Sequence, residues 1–184
     1  MADFPFNRRQ LLLTAGALPA VRPAFAQQEG ARALVVLFTR THNSRVAAEL
    51  IVRRTGAAFF EIEAREPYPV DYFETVDLNH RQQIQDIRPP LVSEGPDLAA
   101  YDVIYLAHPI WDASVPPPVK TFLAAHDFTG KALVPVISHG GYGSGRAREQ
   151  TRALAPGAAL QPAFVMEDQQ ERRVITDLDE WLLD

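Results

Sequence analysis

Apolar and polar positions alternate along this chain in blocks rather than residue by residue. Ala33 to Phe38 is a continuous apolar run, the pattern of a strand buried on both faces of a parallel sheet. Ser44 to Thr55 places Val46, Ala47, Leu50 and Ile51 on one helical face, and Gly56 follows as a stop. Ala57 to Ile62 reads as a second strand and Tyr101 to Ala107 as a third. Pro117 to His126 reads as a helix with Val119, Phe122 and Leu123 inward. Lys131 to Ser138 reads as a fourth strand, although Pro135 within it has no N–H to give to a ladder. Gly145 to Ala155 is a polar helix, Ala158 to Met166 a fifth strand broken by Pro162, and Asp177 to Leu183 a last short helix. The segment from Arg65 to Pro96 is polar and bounded by prolines. Tyr72 to Ile87 reads as its helix, with long flanking loops rather than a separate domain, because the segment is too short for its own core.

Alternation of this kind predicts an α/β fold with a doubly wound parallel sheet and helices on both faces. Ligands of such sheets bind outside the carboxyl ends of the strands. The loops after strands one, three and four therefore hold the candidate chemistry. The first, Thr39-Arg40-Thr41-His42-Asn43-Ser44, offers three hydroxyls and an amide at a helix N-terminus, where backbone N–H groups and the helix dipole favour an anion. Helix capping by Asn43 or Ser44 is the plainer explanation, but a cap needs one such residue rather than four. The second loop, His108 to Pro116, sets Trp111 and Asp112 among prolines. Its indole suits either stacking on a flat aromatic ligand or cover for the edge of the core. The third, Ser138 to Gly145, has four glycines in six residues, which allow close backbone approach. It fails the dinucleotide fingerprint, the nucleophile elbow and the P-loop on spacing or on its place in the chain.

Composition narrows the chemistry. The 184 residues are 22% charged and 47% hydrophobic, ordinary for one globular domain. There is no cysteine, which excludes disulfides, thiol catalysis, and iron–sulfur or cysteine-bound zinc sites. Any redox chemistry must then come from a bound cofactor. The histidines at 42, 80, 108, 126 and 139 lack metal-ligand spacing, so no metal site is expected, and His80 and His126 read as surface residues. Residues 1–26 have the order of an export signal: Arg8-Arg9, an apolar stretch from Leu11 to Val21, then Ala24-Phe25-Ala26. "NRRQLLL" resembles the twin-arginine signal, so the expected location is the periplasm, with no stable membrane insertion of the mature chain. Cleavage after Ala26 would remove three arginines and one aspartate, taking the net charge from −5 to −7. That acidity argues against nucleic-acid partners.

The three loops together resemble those of the flavodoxin family. "FTRTHNS", "HPIWDASVPPPV" and "SHGGYGSG" are similar to its "FSxTGNT", "PIWW" and "HGGSG" loops, in order and after the same strands. "FEIEAREPYP" from Phe60 and "PDLAAYDVIYLAHPIW" also resemble the family, so the likeness spans a domain over 33–184. The resemblance implies a five-stranded sheet of order 2-1-3-4-5 and non-covalently bound FMN. Thr39, Thr41, Asn43 and Ser44 match the residues that wrap the phosphate. Pro109, Ile110 and Trp111 match the loop on one side of the flavin ring, and His139, Gly140, Gly141, Tyr142 and Gly143 the loop on the other. Two positions depart from the family. His42 stands where glycine is usual, at a cost if that position needs positive φ; charge from Arg40 and His42 would offset it on a dianionic phosphate. Asp112 stands where a second aromatic is common and would put an acid beside the ring, weakening binding or lowering the potential. The implied function is electron transfer to a redox partner protein or a small-molecule acceptor. An NAD(P)H-dependent quinone or small-molecule reductase is the enzymatic alternative, and a fold that has lost FMN and acts as a binding module is a third.

Overall fold

The computed structural model describes residues 30–168 and 171–183. The expected export signal lies outside the described residues, as does Asp184. Among the described residues, six strands and five α-helices follow in the order β1 (Ala33–Leu37), α1 (Asn43–Thr55), β2 (Ala58–Glu61), α2 (Tyr72–Ile84), β3 (Val103–Pro109), α3 (Pro117–Ala125), β4 (Ala132–His139), α4 (Ala147–Leu154), β5 (Ala159–Leu160), β6 (Phe164–Glu167) and α5 (Glu171–Leu183). All strand pairs are parallel, and the order is β2-β1-β3-β4-β5 with β6 also on β4. This is the predicted doubly wound 2-1-3-4-5 sheet.

The continuous apolar runs are explained by cover on both faces. Val35, Leu37, Tyr105, Ala107, Val134 and Val136 face α1 and α5 through Ala47, Ile51 and Leu178. The alternate residues Leu34, Val36, Ile104, Leu106, Leu133 and Ile137 face α3 and α4 through Val119, Phe122, Leu123 and Ala147. Helix α2 differs: its buried residues are Thr75, Asn79 and Gln82, so polar contacts rather than an apolar stripe seat it.

The fifth strand position is divided. β5 and β6 lie in line beside β4, separated by residues 161–163 around Pro162. The same gap accommodates Pro135, which pairs with Leu106 inside β4. Leu133 O accepts from Gln161 N on the outer side at 2.9 Å. Strand alternation turns the nitrogen two residues on to that same side. The N–H that Pro135 lacks is therefore aimed where no ladder runs.

Several boundaries move from the expected ones. α2 stops at Ile84 rather than Ile87, where Asp86 takes a left-handed φ of 47° and Ile87 N bonds Gln82 O. β3 runs on through His108 and Pro109, and β4 through His139, so those residues end strands rather than begin loops. α5 begins at Glu171, six residues before the expected Asp177.

Candidate functional site

Because β1, β3 and β4 are neighbours, their carboxyl-end loops lie side by side. Ser44 Oγ and Ser138 Oγ, both buried, hydrogen-bond at 2.9 Å and tie the first turn of α1 to the end of β4. Ile110 N donates to Ser138 O at 2.8 Å, so the loop after β3 is anchored at the same point.

The first loop is not explained by capping. The N-cap of α1 is His42, whose side chain makes no cap bond, with Asn43 already inside the helix. His42 is left-handed, at φ 65° and ψ 0°, so the position where the family usually has glycine does demand positive φ. Among the described residues, no backbone N–H from Thr39 to Ser44 donates to a protein acceptor, and the side chains of Thr39, Thr41 and Asn43 are likewise unpartnered. A run of free amides at a helix N-terminus is an anion-binding concavity. Arg40 does not complete it: its guanidinium donates to Val70 O at 3.1 Å, in the segment before α2.

The second loop turns sharply. Trp111 and Ser114 exchange backbone bonds of 3.1 and 3.0 Å across Asp112 and Ala113, both at positive φ, 51° and 52°. Such tight turns prefer glycine, especially second. Ala113→Gly is accordingly expected to raise stability by about 1 kcal/mol, read as a higher thermal midpoint. Trp111 lies edge-on to Phe38 at 5.2 Å and to Tyr68 at 4.8 Å, so the indole covers the core edge and borders the loops at once. Tyr68 donates its hydroxyl to Gln82 Oε1 at 2.6 Å, and burial pushes that hydroxyl well above the ordinary tyrosine range. Asp112 is not a lone acid: His80 Nδ1 on α2 is 3.1 Å from its carboxylate. Gln83 Nε2 also donates to Val115 O, and Gln83 Oε1 accepts from Lys120 Nζ, which fixes α2 against the base of this loop.

The third loop is clamped to the second. Arg146 N donates to Ala113 O at 2.8 Å, its guanidinium bonds Ser114 Oγ at 3.0 Å, and Gln150 Oε1 accepts from Val115 N at 2.8 Å. His139 Nδ1 accepts from Gly141 N at 3.0 Å, Gly141 and Gly143 are at positive φ, and Tyr142 is 95% exposed. His108 is withdrawn from the site. It is fully buried in β3, with Nδ1 donating to Pro109 O at 2.9 Å and Nε2 without a partner.

Tyr68, His80, Arg146 and Arg45, whose Nε donates to His42 Nδ1 at 3.3 Å, border these loops but lie outside the loop motifs. Tyr68 stands between Pro67 and Pro69, a placement that favours a fixed turn. For His80 no local pattern points to its carboxylate, 32 residues away. Among the described residues there is no cluster suited to a metal ion, and no helix is long and apolar enough to cross a membrane.

Three solved structures are similar in fold. A candidate flavoprotein from Bacteroides uniformis shares 25% identity at a TM-score of 0.72, over 82% of this chain and 99% of that one. Another from Bacteroides eggerthii shares 23% at 0.70, over 84% and 99%. A Lactobacillus acidophilus flavoprotein, solved in complex with FMN, shares 17% at 0.65, over 82% and 98%. A comparison with curated protein sequences gives no match. The flavodoxin family model matches residues 32–183. With its sheet order, its three adjoining loops and that match, the chain belongs to the flavodoxin family.

Proposed function

We propose that the chain binds FMN without covalent attachment and passes electrons through it. The observation that carries this is the run of unpartnered amides from Thr39 to Ser44, beside hydroxyls of Thr39 and Thr41 and the amide of Asn43. This donor set suits a dianionic phosphate, and Trp111 borders the adjoining loop with an aromatic surface. The FMN seen in the Lactobacillus acidophilus flavoprotein supports the same reading. Bound flavin supplies the electron-transfer chemistry that a cysteine-free chain otherwise lacks. The roles left to this chain are to anchor the phosphate at residues 39–44, to fix the ring between the Pro109–Asp112 and His139–Gly143 loops, and to set the local charge through Asp112 and His80. Electron transfer needs none of these side chains to act as acid or base. A leader of the twin-arginine type, cleaved after Ala26, would deliver the protein folded and loaded to the periplasm.

Titrating the purified chain with FMN is expected to give a stoichiometric complex with absorbance near ~450 nm and quenched flavin fluorescence. A chain that stays colourless with FMN in excess would mean the fold has lost the cofactor. Rapid NADPH oxidation with a quinone and no partner protein would reassign the chain to the reductase class.

A further inference from the structure

His42 occupies a left-handed position that glycine would fill without strain, and its side chain is held rather than loose. Arg45, one turn along α1, donates its backbone N–H to His42 O at 3.0 Å and its Nε to His42 Nδ1 at 3.3 Å. The Arg45 guanidinium is itself fixed by a close ion pair with Glu61 at the end of β2 and by Glu49 at 3.9 Å. Its charge is therefore already matched, which leaves it suited to positioning rather than to holding an anion. A ring nitrogen that accepts from Arg45 carries a lone pair, so the ring proton sits on Nε2. Among the described residues, His42 Nε2 has no protein acceptor.

We infer that Arg45 fixes His42 as an Nε2–H donor, and that His42 replaces a glycine in this loop as the side chain that selects a phosphorylated flavin over an uncharged one. Arg45 is a positioning residue: it acts only through His42. The inference rests on the FMN reading above and adds to it a specific determinant of phosphate recognition. It accounts for a histidine held at a backbone conformation that costs about 1 kcal/mol or more for a residue with a Cβ.

The test pairs a binding measurement with a spectroscopic one. Titrations with FMN and with riboflavin are followed by flavin fluorescence for the wild type, for His42→Gly, and for Arg45→Met/Glu61→Gln, made together so that Glu61 is not left unpaired. His42→Gly relieves left-handed strain and so keeps the fold. Both variants are expected to bind FMN about tenfold more weakly and riboflavin as before. Long-range nitrogen-15 imidazole spectra of the flavin-free protein are expected to show the Nε2–H form of His42 in the wild type and a mixture in the double variant. Wild type that takes up neither flavin overturns the cofactor reading and this inference with it. Wild type that takes up FMN, with His42→Gly binding it as tightly or with the ring in the Nδ1–H form, overturns the inference alone.

Discussion

Replacing Gly145 with alanine is expected to lower the unfolding free energy by about 3 kcal/mol, and the thermal midpoint by about 10 °C. Gly145 sits at φ 51°, and a Cβ there would lie 2.4 Å from Ala113 O and 2.8 Å from Ala113 C and Cα. These are backbone atoms of a turn that is already held at positive φ. They cannot retreat without breaking the 2.8 Å bond from Arg146 N to Ala113 O, which joins the second loop to the third. The loss should therefore be felt at the site as well as in the fold, with flavin affinity falling as the loops part. Gly143→Ala is the control: its φ of 74° carries the same backbone penalty, but a Cβ there meets nothing within 4 Å. Equal losses in the two variants, measured by denaturant unfolding, would show that the contact with Ala113 contributes nothing.

The second large effect is a loss of stability in acid that a single histidine explains. Burial pushes His108 from an ordinary 6.5 down to about 4, with its bond to Pro109 O opposing only part of the shift. The unfolded chain takes up this proton near pH 6.5, whereas the folded chain refuses it until about pH 4. Since the unfolded state binds more protons in that window, stability falls as pH drops through it and is unaffected by this group above it. The expected loss is on the order of 2–3 kcal/mol between about pH 7 and about pH 4.5. His108→Leu keeps an apolar group in the core and removes the unpartnered Nε2, so its stability should change much less over the same range. Urea unfolding of both proteins at the two pH values measures the difference. A variant with the wild-type slope would assign the acid sensitivity elsewhere.

The strand and helix pattern was legible because each central strand is covered on both faces, so it is written as an unbroken apolar run. Val35 and Val36 point to opposite layers and are equally buried. The loops were legible because their chemistry is local: hydroxyls before α1, glycines after β4. The left-handed state of His42 was open in the sequence, where the family's glycine raised the question, and its φ of 65° settles it. What could not be read depends on pairs distant in sequence. Gly145 looks like one of several interchangeable glycines until Ala113 lies against it. Asp112 looks like an isolated acid until α2 brings His80 across. His108 looks like the first loop residue because a polar side chain after "YLA" resembles a strand end, yet the register with Ile137 carries β3 two residues further. The ends of α2 and α5 moved for the ordinary reason that helix termini are set by a few backbone bonds rather than by periodicity.

The break around Pro162 also governs what the sheet offers to other molecules. A parallel sheet ends in strands whose free edges invite another chain to continue the ladder. Here the outer border presents β5, two residues long, then a gap, then the four residues of β6. Neither piece gives an incoming strand enough consecutive partners to hold its register. Two prolines, Pro162 outside and Pro135 beside it, thus interrupt this border and leave an incoming strand only short runs to pair with.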